Sequence, residues 1–222
     1  SSDVCSSDLV KVFRMKKDTY VWHTIHEQNM RHRLTEALCG YHEKYPYRYG
    51  MKKAEIHMTY MKKVKLNVFD LYVEMLSEEG ALKRHQEFLQ LPEFEVRKDA
   101  VYEKVLKTVQ KQFEKAQFDF QRFSEISFGN IKREEVEDIM LLLIDEDIVV
   151  KITEDIYTLK SIIEKAKEVI QNRLKENPLI TIAEVRDLLG TSRKSAKPIL
   201  EYMDSIKVTK KNGTESERVA YV

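Results

Sequence analysis

The sequence is poor in cysteine, proline, glycine and tryptophan: its 222 residues hold two, four, six and one of them. Two cysteines, Cys5 and Cys39, cannot make a disulfide framework and point to a reducing compartment. The glycines form no phosphate-binding loop, because none of Gly40, Gly50, Gly80, Gly129, Gly190 or Gly213 opens a G-x-x-x-x-G-K-[ST] run. No apolar stretch approaches the ~20 residues that a bilayer span takes. The N-terminus lacks the basic region and apolar run of a secretory signal. An excess of one charge sign is also lacking. The net charge is +1, so any nucleic-acid face must be a local concentration of Lys and Arg. His23, His26 and His32 have suggestive spacing, but no Cys pair or carboxylate partner completes a metal site, and none is expected. No Ser-His-Asp or Cys-His signature stands out, so no residue is assigned a catalytic role and no enzymatic activity is expected. The expectation left standing is a monomeric binding protein of the cytoplasm.

Charged residues make up 34% of the chain and apolar ones 42%. That balance suits several small modules better than one thick globule, because surface per unit volume rises as domains shrink. A pattern recurs at intervals of roughly 60 residues, the repeat length of a small domain. A long amphipathic helix and a polar break are followed by further helix, then by a β-branched strand, a polar turn and a return strand. The expected class is mainly α with small β-hairpins (α+β), as tandem winged-helix modules in an elongated array. Residues 1–9 nearly repeat themselves and read as a non-native or disordered leader. Residues 10–29 hold a hairpin, Val12 to Met15 and Thr19 to Trp22 around a Lys16–Asp18 tip, that reads as the wing of a truncated module. In it Tyr20 and Trp22 are expected in a core or interface. Full modules are expected over 30–96, 97–160 and 161–222. The first begins its leading helix near Met30, with Leu34, Leu38 and Tyr41 on one face, and breaks at Tyr45-Pro46. In the last, Thr181 and Glu184 are spaced as a capping box, Gly190 ends one helix, Ser192 is placed to cap the next, and Asn212-Gly213 marks a turn.

The third helix of such a module usually faces nucleic acid, and its N-terminus offers free amides to phosphate. From Arg186 to Lys211 seven cations (Arg186, Arg193, Lys194, Lys197, Lys207, Lys210 and Lys211) stand against three anions, Asp187, Glu201 and Asp204, a net of +4. The corresponding stretch of the 97–160 module follows Lys132 and Arg133 with Glu134, Glu135, Glu137 and Asp138, which would repel phosphate. A weaker second candidate is the lysine-rich stretch from Met51 to Lys65, with Tyr60 among its lysines. A DNA-binding regulator and a scaffold that binds protein only remain open on these grounds.

The run from Ile182 to Lys194 (IAEVRDLLGTSRK), with Ile199–Asp204 (ILEYMD) and Thr209-Lys210-Lys211, closely resembles the final winged-helix module of the SelB family, the bacterial selenocysteine-specific elongation factors. The order of Tyr41-His42, Tyr45-Pro46 and Leu89–Pro92 upstream agrees with it. The resemblance implies a C-terminal fragment of a translation factor whose last module grips the selenocysteine insertion (SECIS) hairpin of a messenger RNA. It implies RNA contacts from Arg186, Thr191, Ser192, Arg193, Lys194 and Lys197 and, from strand and wing, Lys210, Lys211 and Arg218. It implies no cofactor in this fragment, GTP and magnesium belonging to absent N-terminal domains. Ribosome and selenocysteinyl-tRNA would be met only through the full-length protein. Three features depart from the family pattern. Ser195 stands where an aromatic is usual, Lys210-Lys211 replaces a usual Arg pair, and the wing carries Glu215 and Glu217.

Overall fold

A computed structural model of the chain describes residues 9–14 and 19–221. Nearly all of the expected leader and the Lys16–Asp18 hairpin tip lie outside the described residues. The chain divides into two compact units between Arg97 and Lys98.

The first unit opens with a hairpin, β1 (Val10–Arg14) and β2 (Thr19–His23), paired from Val10↔His23 to Arg14↔Thr19. Three helices follow, α1 (Thr24–Lys44), α2 (Lys53–Tyr60) and α3 (Leu66–Glu78), with short strands β3 (Met51–Lys52), β4 (Lys83–His85) and β5 (Phe88–Gln90). The sheet order is β3-β5-β4, so the return strand of the hairpin lies between the other two. Leu34, Leu38, Ile56, Phe69, Tyr72 and Leu89 form a buried core. The hairpin is part of that core: Phe13 is buried, and the Trp22 ring lies 4.7 Å from Phe13 and 5.0 Å from Tyr72. Gly50 is required where it stands, since a Cβ there would come within 2.1 Å of the Leu89 carbonyl oxygen.

Helix α1 begins at Thr24, six residues before the start that hydrophobic periodicity suggests. The reason is Glu27, which is 2% exposed on the inward face. It accepts from Tyr72 Oη at 3.2 Å and Arg31 Nε at 3.1 Å, and Arg31 and Lys11 also pair with Glu79. A paired carboxylate can be buried, but a reading that looks for apolar residues passes over it.

His42 is a pH-sensitive element of this unit. Its ring stacks on Phe94 at 3.6 Å, and Nε2 accepts from the Leu91 amide at 3.2 Å. Burial lowers its pKa from 6.5 to about 4, because the charged form loses its water. A depressed folded-state pKa means that the unfolded chain binds the proton first. The contribution to stability is therefore complete above pH ~6.5 and falls as pH drops from there toward about 4. Denaturant titrations at pH 7.5 and 4.5 should show unit 1 losing on the order of 2 kcal/mol at the lower pH, and His42→Gln should remove most of that difference.

The second unit carries two winged-helix stretches. The first has α4 (Ala100–Ala116), α5 (Arg133–Asp145) and the hairpin β6 (Val149–Thr153) and β7 (Ile156–Leu159). Its middle helix shrinks to a 3-10 turn over Phe123–Glu125, and a lone bridge, Arg122↔Ile156, stands where a first strand would pair. The segment from Phe118 to Phe128 is aromatic without a helical period, and Phe123 is buried against Phe128 and Tyr157. The second stretch is complete, with α6 (Lys160–Glu176), β8 (Leu179–Thr181), α7 (Ile182–Leu189), α8 (Arg193–Ser205), β9 (Thr209–Asn212) and β10 (Thr214–Ala220). Its sheet order β8-β10-β9 repeats that of β3-β5-β4. The two stretches share one core: Val150 belongs to the cluster of Ile163, Ile170, Val185, Ile199 and Met203, and Phe118 and Phe120 pack against it. The last module is therefore built on its neighbour.

Each of the three modules leaves its last helix through a left-handed residue: Gly80 at φ +71°, Asp147 at +58° and Lys207 at +58°. The shared turn marks the repeat more clearly than residue identity does, since only one of the three is the glycine that this conformation favours. No helix among the described residues is long and apolar enough to cross a membrane, and no group of His, Cys, Asp or Glu among them is placed to hold a metal.

Candidate nucleic-acid interface

The helix pair α7–α8 forms because its start and turn signals agree. Thr181 Oγ1 accepts from the Glu184 amide at 3.2 Å, and Glu184 Oε2 accepts from the Thr181 amide at 2.9 Å, closing a capping box. Gly190 at φ +60° ends α7 in the left-handed conformation. Val185 and Leu189 on α7 and Ala196, Ile199 and Leu200 on α8 are buried together. The opposite face of α8 is thereby left to solvent.

Arg193 and Lys194 occupy the first turn of α8. Both are exposed, and neither has an ion pair among the described residues. Their backbone amides belong to the first turn, where a helix has no internal acceptor to offer. Pro198 has no N–H for the Lys194 carbonyl, so this turn is held by one bond fewer. Two guanidinium or ammonium heads beside free amides and a positive helix end suit a phosphate. Lys197, also exposed, lies 3.7 Å from Glu201. On β9, Lys210 and Lys211 are exposed, with Lys210 Nζ 5.8 Å from the Tyr221 ring and Lys211 held at 2.7 Å by Glu215. Arg186 on α7 is exposed and pairs with its neighbour Asp187 at 2.7 Å. Pairs this exposed are weak and open to exchange for a phosphate.

Two expected contact residues, Thr191 and Ser192, hold polar partners within the fold, and so does Ser195. Thr191 Oγ1 donates to the Phe118 carbonyl at 2.6 Å. Ser192 Oγ donates to Asp119 Oδ1 at 3.0 Å rather than capping α8 with its side chain. Ser195, buried, accepts from the Phe120 amide at 3.0 Å and donates to Asp119 at 3.4 Å. Together they fasten the start of α8 to the loop after α4. Ser195, which stands where the resemblance implies an aromatic, is 2% exposed. The Asp119 carboxylate thus stands at the N-terminal end of α8. Sequence reasoning had no signal for it, since it lies 73 positions before its partner Ser192.

Arg218 is a correction. The expected RNA contact is 0% exposed. Its Nε donates to Asp204 Oδ2 at 2.7 Å, and Nη1 donates to the Glu215 and Glu217 carbonyls at 2.8 and 3.0 Å. Its place in the sheet and the irregular register beside it explain the burial. Arg218 opposes Ile180 on β8 and Lys211 on β9, in the central strand, and the register shift between Thr214 and Arg218 folds the wing back over it. The residue holds the wing in shape and presents no group to a ligand.

Two family models described as "Elongation factor SelB, winged helix" match the chain, that of the second winged helix over residues 35–91 and that of the third over 172–216. A curated relative from Desulfomicrobium baculatum, named "Selenocysteine-specific elongation factor", is 24% identical over 185 residues. The alignment covers 82% of this chain, which spans about three tenths (29%) of the relative. Among solved structures, the mRNA-binding domain of elongation factor SelB from E. coli in complex with SECIS RNA aligns with a TM-score of 0.48 at 19% identity, covering 56% of this chain and 100% of that one. A bacterial selenocysteine-specific elongation factor EF-Sec aligns with a TM-score of 0.48 at 18% identity, covering 94% of this chain and 32% of that one. Over residues 35–91 and 172–216 the chain thus matches, in tandem, winged-helix domains of elongation factor SelB.

Proposed function

We propose that this chain serves selenocysteine incorporation as the mRNA-reading part of a longer translation factor, its last module binding the SECIS hairpin. The observation that carries the reading is the exposed Arg193–Lys194 pair at the N-terminus of α8, without an ion pair among the described residues, inside a SelB-type winged helix. Arg193 supplies a planar fork suited to phosphate or a guanine edge, Lys194 a point charge beside it, and Arg186, Lys197, Lys210 and Lys211 further attraction along the backbone. Thr191 and Ser192 act by positioning α8. RNA is read largely by shape and at unstacked bases, which suits a short rigid helix tip. The winged helices bind and do no chemistry. In this reading GTP and magnesium belong to other domains of the full-length factor, which would also meet the ribosome and selenocysteinyl-tRNA in the cytoplasm.

The test is a gel-shift titration of the chain, as a monomer, with a stem-loop RNA, the fully paired RNA stem and the matching DNA duplex. The stem-loop should bind most tightly, with a log–log salt slope of about −3 to −4 if ~4 phosphates are neutralised. Preference for the DNA duplex would favour a transcriptional regulator, and no nucleic-acid affinity would favour a protein scaffold. Asp119 adds a sharper expectation. Its carboxylate repels a phosphate approaching the start of α8, so Asp119→Asn should tighten stem-loop binding roughly threefold to fivefold, the effect of ~0.7–1 kcal/mol at a helix N-terminus. Unchanged or weaker binding would place the phosphate elsewhere.

A further inference from the structure

We propose that the first unit carries a second, separate RNA-binding site, in the groove between α1 and the α2–α3 turn. The groove has a volume of about 470 Å³, and Asn29 and Arg33 of α1 face Tyr60, Lys62 and Lys63 across it. Among the described residues no carboxylate lines it.

Several cations of the unit are neutralised by carboxylates, and those of the groove are not. Elsewhere in the unit, Lys11 and Arg31 pair with Glu79, Lys52 with Glu87 at 3.0 Å and Lys53 with Asp70 at 2.8 Å. Arg33, Lys62 and Lys63 are exposed and have no ion pair among the described residues. Three unneutralised charges around one concavity raise the local potential well above that of a chain with a net charge of only +1. The turn that presents the lysines is held in place. The Val64 amide donates to the Met61 carbonyl at 2.8 Å, His57 Nε2 lies 2.7 Å from the Val64 carbonyl oxygen, and Met61 is buried. Little order has to be gained on binding, so the attraction is not spent on fixing a loop.

The lining favours a nucleic acid over an acidic protein. Cations would follow the phosphates, the half-buried Tyr60 offers a ring on which a base can stack, and Asn29 offers an amide to sugar or base edges. That combination suits single-stranded RNA, whose bases are free to stack.

The test uses the full chain with Arg193 and Lys194 both changed to alanine, so that the α8 tip is silent. The probe is a fluorescein-labelled oligouridylate of about 15 nucleotides at ~50 mM KCl. This variant should still bind, with a salt slope near −2, as three cations on a single strand imply. Adding Arg33→Ala, Lys62→Ala and Lys63→Ala should weaken binding at least tenfold and flatten the slope toward zero. The melting temperature should stay put, because all three side chains are exposed. Absence of binding before the groove is altered would overturn the proposal. So would binding that survives its alteration, or a polyglutamate of similar charge competing as well as RNA, which would mark an acidic-protein surface. Failure of the α8 reading shows separately, as stem-loop affinity that does not change when only Arg193 and Lys194 are replaced.

Discussion

Replacing Arg193 and Lys194 together by alanine should weaken stem-loop RNA binding roughly 30- to 1,000-fold, while thermal unfolding is unchanged. Each residue is worth on the order of 1–3 kcal/mol as a nucleic-acid contact, and the two act at one helix end. Stability is spared because both side chains point into solvent and neither holds a partner among the described residues. Arg193→Lys should recover only part of the loss, since an ammonium keeps the charge and gives up the planar fork. The salt slope of the double variant should become shallower by about 2, one per phosphate released. Unchanged slope and affinity would remove α8 from the interface.

Arg218→Ala should do the reverse and cost the last module about 3–5 kcal/mol of stability, the usual effect of leaving one partner of a buried ion pair alone. The midpoint of thermal unfolding should fall by roughly 10–20 °C. Asp204 would lose the Arg218 Nε bond and keep only Thr209 Oγ1, which donates to it at 2.7 Å. The wing would lose the two bonds from Nη1 to the Glu215 and Glu217 carbonyls. Arg218→Lys should be destabilising as well, because an ammonium cannot serve a carboxylate and two carbonyls in the same plane. Calorimetry separates this outcome from a loss of RNA contact. A variant that melts like the parent and binds RNA weakly would return Arg218 to the interface and contradict its buried position.

The contrast between Arg218 and Arg193 shows how far the residues alone could be read. Helix ends were legible where their chemistry is local: the Thr181–Glu184 box, Gly190 and Asn212-Gly213 each lie within a few positions of the feature they mark. The exposed cations of α8 were legible for the same reason, since the apolar stripe of Ala196, Ile199, Leu200 and Met203 leaves Arg193 and Lys194 on the other side. Arg218 was misread because its burial depends on a bulge that no local rule announces, and on Asp204, 14 positions away. The early start of α1 was hidden by the buried Glu27, whose partner Tyr72 is 45 positions off. The fastening of Thr191, Ser192 and Ser195 to Phe118, Asp119 and Phe120 was hidden by greater distance still. What escaped the sequence was polar burial between remote partners, and the same kind of contact sets the stance of α8.

The most direct measurement is a crosslinking map of the chain bound to a stem-loop RNA carrying 4-thiouridine, read by mass spectrometry of the crosslinked peptides. Crosslinks should fall on the first turns of α8, residues 193–197, and on β9, residues 209–212, and should fade in the Arg193→Ala, Lys194→Ala variant. A map with no crosslinked peptide from the last module would contradict the account.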